Sequence, residues 1–338
     1  MDHSHSIADH RQRARWLTRI RLALHYGDRP WNALTIGMAL LVVLLMLSIG
    51  ILLWVDSGQA RSSFGLGFLT PTTNASWNPV SGNFQAWPFI YGTLATSLMS
   101  LVFAVPISLG VAVFLAELCP GWLRLPLGWL FELLAAIPSV VYGLWGIFVF
   151  LPGVVEPVGN FLASTLGDLP GLSIFFHGPI PASGSSLLAA ALILSIMITP
   201  TIAAIARDVF LAVPLAQHEA SLALGATRWE TIWKVLIPYG LSGILGAVIL
   251  GLGRALGETM AVTMVVGNST GGTLSLMRPG YTMSSIIANE FAEAVSILHS
   301  QALIEIGLIL FIITLVLNVL ARLLVWRVGR GMPKEVRA

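Results

Sequence analysis

The stretch YGLSGILGAVILGLGRALGETMAVTMVV, Tyr239 to Val266, holds 28 residues of which only Arg254 and Glu258 carry a formal charge. A transmembrane helix needs about 20 mainly apolar residues, so this run is long enough to cross a bilayer. It lacks the alternation of polar and apolar positions over about ten residues that a membrane β-strand would show. The chain as a whole agrees: its 338 residues are 56% hydrophobic and 10% charged, its mean hydropathy is +0.84, and soluble domains carry about 25% charged residues. An all-α, polytopic membrane protein follows. A charge at the bilayer centre costs about 3 kcal/mol on insertion scales, so Arg254 and Glu258 face either a pathway or a partner.

Working outward, six apolar runs read as spans: 33–55, 88–116, 125–155, 186–206, 239–266 and 303–325. The first follows a polar arm bearing Arg11, Arg13, Arg15, Arg19, Arg21 and Arg29. No small-residue cleavage site follows it, so it reads as a retained anchor. Basic residues sort by side. With the amino terminus in the cytoplasm, 15 of the 18 Lys and Arg residues fall on that side, Arg61 and Arg278 fall outside, and Arg254 stays within the fifth span. That bias places both termini in the cytoplasm. The reading is a basic arm at 1–32, a six-helix domain at 33–326 with a cytoplasmic loop at 207–238, and a basic tail at 327–338. The location is the plasma (inner) membrane of a bacterium, with lipid as surroundings and no nucleic-acid partner.

The outer loops 57–87 and 157–185 are rich in Gly, Pro, Ser, Asn and aromatics. Such a composition favours turns over regular structure, and serves either as a solvated loop or as a surface that meets an external partner. Cys119 is alone, so no internal disulfide forms. His3, His5 and His10 sit in the polar arm, where a disordered segment is the simpler reading than a metal site; no metal site is expected. There is no GxxxxGK[ST], HExxH or GxSxG pattern, which removes a phosphate loop, a zinc protease and a serine nucleophile from consideration. GLGRALG, Gly251 to Gly257, misses the dinucleotide-binding spacing. Pro106 and Pro138 interrupt the second and third runs as hinges or static kinks. Glu117, Glu132 and Glu305 fall near span edges and reach headgroups or water.

In the loop before the fifth span, EASLALGATRWETIWKVLIP (Glu219 to Pro238) carries Leu222, Ala226, Trp229, Trp233 and Leu236 at helical spacing. It reads as a short amphipathic element interrupted at Gly225 and stopped by Pro238. The order Glu219, Ala220, Ser221, then Gly225, then Val235 with Ile237 and Pro238 resembles the EAA loop of ABC importer permeases. Ser221 departs from the third Ala of that motif, and Val235 and Ile237 replace Ile and Leu. The resemblance implies the type I ABC importer permease fold. It makes this loop the coupling helix, seated in a groove of the ATP-binding subunit through Glu219, Ala220, Ser221, Gly225, Trp229 and Pro238.

Three further stretches narrow it: RALGETMAVTMVVGN (254–268), YGTLATSLMSLVFAVPISLGVAVFLAEL (91–118) and AAIPSVVYGLWG (135–146). They look like the phosphate-specific permease subunits, with length and outer loops more like the PstC type than its PstA sister. By that resemblance the partners are the sister permease, two copies of the ATP-binding subunit (PstB type), an external phosphate-binding protein (PstS type) and phosphate itself. ATP belongs to the partner, so this chain needs no cofactor and is not an enzyme. Molybdate or sulfate is the runner-up substrate. A self-sufficient channel or secondary transporter and a lipid-modifying intramembrane enzyme are the remaining classes.

Arg254 and Glu258, four apart on one helix, fall on one face at pairing distance. They are either an ion pair that holds helices together or a substrate contact. In the second reading the guanidinium presents a planar fork to two oxyanion oxygens. Glu258 then accepts a hydrogen bond from protonated phosphate, which sulfate has no proton to give. Thr259 and Thr263 either add hydroxyl donors to that pathway or bond back to their own helix. Gly253 and Gly257 form a small-xxx-small pattern that suits a close helix interface.

Overall fold

The structure, a computed structural model, describes residues 28–70 and 77–330. His3, His5 and His10, most of the basic arm and the last part of the tail lie outside the described residues. The chain divides into two compact units, Met1–Val55 and Asp56–Ala338. The described part of the first is helix α1 (Asp28–Asp56), 29 residues with no charge after Arg29 until its final Asp56. At 1.5 Å per residue it exceeds the thickness of a bilayer core.

Among the described residues the second unit has helices and isolated bridges but no strand. Its helices are α2 (Gly58–Phe64), α3 (Trp87–Val113), α4 (Gly121–Ala136), α5 (Ser139–Trp145), α6 (Glu156–Leu166), α7 (Ser173–Phe176) and α8 (Leu187–Leu211). They continue with α9 (Leu215–Ala223), α10 (Arg228–Thr231), α11 (Ile237–Gly257), α12 (Met260–Val265), α13 (Met283–Glu290) and α14 (Ile297–Arg330). Six helical stretches of the whole chain are long and apolar enough to span: Pro30–Asp56, Trp87–Leu118, Ser139–Leu166, Leu187–Leu211, Arg228–Gly257 and Ile297–Arg327.

Helix α8 is the mast of this unit. Ser186 caps its start by accepting from the Ala189 N–H at 3.1 Å. Leu188, Ile193, Leu194, Met197, Ile198 and Ile202 are fully enclosed along it, and α3, α4 and α11 all pack against it. Lipid tails are as apolar as Leu, so between spans the hydrophobic effect gives way to close dispersion contact. Gly251 on α11 shows the consequence: a Cβ there would lie 2.6 Å from Ile202 Cδ1. A second cluster has Trp77, Phe84, Phe89 and Tyr281 packed edge to face. Burial pushes the Tyr281 phenol above its ordinary range.

Several expected boundaries move. The third run is cut at Ile137, whose ψ of 130° leaves the helix, because the ring of Pro138 disfavours helical geometry in the residue before it. The spanning piece becomes Ser139–Leu166, with a π-helical stretch at Gly146–Val155 accommodating Pro152. The sixth span starts at Ile297 instead of 303. Helix α3, in contrast, runs unbroken through Pro106. Pro238 does not stop its element either; it sits in the first turn of α11, where a missing N–H costs little, after a π-turn at Ile232–Leu236. The loop at 157–185 is more regular than its composition suggested, holding most of α6 and all of α7. Glu305 is 6% exposed and does not reach water. Glu117 and Glu132 meet His218 and Arg207 respectively.

Candidate functional site

Two helix breaks meet beside α8. At the first, α4 ends and α5 begins, so the last carbonyls of α4 lose their helical partners. The Tyr142 hydroxyl donates to Leu134 O at 2.8 Å, and Arg254 Nη2 donates to Ala135 O at 3.5 Å. A cation at a helix carboxyl end also meets the negative end of its dipole. At the second break α11 stops at Gly257, and Glu258 takes an extended ψ of 127°. The chain then re-enters the short helix α12, which packs against α5. Gly143 makes that contact possible, since a Cβ there would lie 3.3 Å from Ala261 Cα.

The second break corrects the pairing expected of Arg254 and Glu258. Residues 254–257 stay helical and Glu258, with φ −69°, caps the end of α11, yet among the described residues no ion pair joins the two side chains. Arg254 Nη1 donates instead to Thr201 Oγ1 on α8 at 3.0 Å. Glu258 Oε1 accepts from the Ala261 N–H at 3.3 Å and so caps α12, and Glu258 O accepts from Ser284 Oγ at 2.7 Å. The guanidinium is therefore held by neutral acceptors and keeps its charge uncancelled. Thr259 Oγ1 donates to Gly257 O at 3.3 Å and Thr263 Oγ1 to Thr259 O at 2.7 Å, both local contacts.

A Cβ at Gly253 or Gly257 would project into open space, whereas one at Gly251 would press on Ile202, so within this chain the close helix approach lies at Gly251. Gly253 lines a cavity of about 990 Å³ together with Arg254 and Thr201.

At the other end of α11, the loop residues build a two-sided element. Gly225 has φ +86°, a turn that L side chains rarely take. Thr227 and Glu230 then form a reciprocal capping box that starts α10. On the inner side His218 Nε2 meets Glu117 Oε2 at 3.0 Å and Ser221 Oγ meets Thr231 Oγ1 at 3.0 Å, with Ile232 and Leu236 buried. On the outer side Glu219, Ala220, Gly225 and Pro238 are exposed, as are Leu215, Leu222, Leu224, Trp229 and Trp233. Of the residues at helical spacing, Leu222, Trp229 and Trp233 are exposed, Ala226 is half-buried and Leu236 is buried. What remains is an apolar, tryptophan-bearing surface rimmed by charge, the composition of a protein contact.

Sequence reasoning missed Thr201, Tyr142, Ala135, Ser284 and the His218–Glu117 pair. A threonine just after Pro200 in an apolar helix was a signal for the first. The others are meetings between residues far apart in sequence, which spacing does not reveal.

Comparison with known proteins adds the following. The family model described as binding-protein-dependent transport system inner membrane component matches residues 104–332. The chain is 46% identical to the phosphate transport system permease protein PstC of Mesorhizobium japonicum, covering 89% of this chain and 90% of that one. It is 47% identical to the protein of the same name from Haemophilus influenzae, covering 91% and 98%. Among solved structures it resembles a chain of a bacterial alginate ABC transporter (TM-score 0.56, 15% identity, 88% and 95% covered). It also resembles one of the MetNI methionine ABC transporter (TM-score 0.52, 20% identity, 76% and 99% covered). At those identities the two structures speak for the fold alone.

Proposed function

The chain belongs to the family of binding-protein-dependent transport system inner membrane components, and on that premise we propose that it is the phosphate permease subunit of an ABC importer. Near-complete coverage by phosphate permeases at 46% and 47% identity is the observation that carries the substrate. Arg254 supports the same reading, because a guanidinium held only by Thr201 and a carbonyl is ready to exchange those neutral acceptors for phosphate oxygens. Glu258, capping α12 beside it, is the acceptor for a protonated phosphate oxygen. The working cycle is alternate exposure of this path, driven by ATP bound and hydrolysed on a separate subunit, so no reaction is catalysed on this chain.

The exposed face of α9 and α10 is the contact for that ATP-hydrolysing subunit, of which two copies would serve this chain and a sister permease. An external phosphate-binding protein delivers the anion. Both termini lie in the cytoplasm. Exposed Ser183 and Thr227 test that orientation in a Cys119→Ser background. An impermeant thiol reagent added outside should label Ser183→Cys and leave Thr227→Cys untouched; labelling of the latter would reverse the orientation. Phosphate uptake by cells lacking this subunit, with sulfate and molybdate uptake as controls, tests the substrate. Loss of phosphate uptake alone, restored by the gene, is expected. Unchanged phosphate uptake would refute the proposal.

A further inference from the structure

The 990 Å³ cavity that reaches Arg254 has a second cationic end. Helix α14 packs on α11 and contributes Asn318 and Arg322 to its lining, one helical turn apart and so on one face. Among the described residues no Asp, Glu or His lines it. The wall on α11 is kept open by Gly246 and Gly253, where a Cβ would meet nothing within 4 Å. That gives Gly253 a purpose that helix packing does not. Arg254 and the exposed Arg322 thus bring two guanidinium groups to one largely apolar space, where an anion would meet positive charge from both helices. Arg322 belongs to the last part of α14, beyond which the described chain carries Arg327 and Arg330, so the cavity runs from the helix breaks toward the basic end of the span.

We propose that this cavity is a second oxyanion station, in which Arg322 and the Asn318 amide receive phosphate after it leaves Arg254. The inference rests on the phosphate-permease reading and adds a residue and a direction to it. The ligand chemistry is a tetrahedral phosphate oxyanion, which free phosphate supplies and which a phospholipid headgroup also supplies.

The test uses the whole complex with its binding protein and ATP, reconstituted in vesicles of zwitterionic lipid alone and in vesicles that also contain anionic lipid. Arg322→Gln should lower phosphate uptake about tenfold in both, the equivalent of one charge-assisted contact. Arg322→Lys should restore part of the rate, since it returns the charge without the planar fork. Gly253→Leu, which fills the cavity and leaves both arginines in place, should lower uptake comparably. Uptake at the wild-type rate by Arg322→Gln would overturn the inference, and so would a loss seen only with anionic lipid, which would assign Arg322 to a headgroup. If the Arg322→Gln complex does not assemble, Gly253→Leu decides: a wild-type rate there overturns the station. Failure of the wild-type complex to take up phosphate would instead count against the function proposed above.

Discussion

Helix α4 is gripped by two arginines, and the two grips differ in kind. Near the carboxyl end of α8, Arg207 meets Glu132 of α4 at 3.4 Å and its neighbour Asp208 at 2.8 Å. Three residues further along α4, Arg254 meets Ala135 O and Thr201 Oγ1. Arg207 is neutralised by carboxylates whose side chains are 56% and 65% exposed, the kind of pair worth about 0–1 kcal/mol. Arg254 sits where a charge is far more costly and has no counter-ion among the described residues. An arginine meant only to fasten helices is better served by the first arrangement. The second leaves a positive field that an incoming anion completes.

The largest effect is therefore expected at Arg254. Arg254→Gln removes the charge and should cut phosphate uptake about a hundredfold, as loss of two charge-assisted bonds of about 1.5 kcal/mol each would do. Uptake assays beside complex yield check this, and a loss no greater than that of Arg207→Gln would erase the distinction between the two grips. Next is Gly225→Pro in the cytoplasmic element. Proline is fixed near a φ of −65° and Gly225 sits at +86°. The turn should break and uptake should fall about tenfold with the spans still inserted. Normal uptake would remove the loop from the coupling path. The smallest change is expected at His218→Ala, which unfastens α9 from Glu117. Side chains about a quarter exposed make a modest pair, so uptake should drop only about threefold. His218→Gln, which keeps a donor, should recover it; a wild-type rate for His218→Ala would mean that the contact transmits nothing.

The same contrast explains what the sequence made legible. Apolar runs and the sorting of Lys and Arg announced the spans, since length and charge bias act locally. The loop element before α11 was legible from Glu219, Gly225 and its tryptophans, which stand exposed as a partner-facing apolar surface requires. The helix break at Glu258 was not legible, because GETMA carries no proline and the extended ψ is held by Ser284 and the Ala261 N–H, contacts made by tertiary packing. Without that break the two side chains, one turn apart, would form an ion pair that an exchange of the two preserves. With the break in place that exchange would put a carboxylate against Ala135 O and a guanidinium at the start of α12, so it no longer separates a structural role from a transport role.

A conservative change made at both grips separates those roles directly. Phosphate uptake per assembled complex should be measured for Arg254→Lys and Arg207→Lys side by side. Lysine preserves the charge at each site and removes the planar two-point fork. Arg207→Lys should stay within about twofold of wild type, as an exposed pair permits, while Arg254→Lys should fall about tenfold with equal complex yield. Equal, near-normal rates for the two variants would contradict the account and leave Arg254 as a helix fastener of the same kind as Arg207.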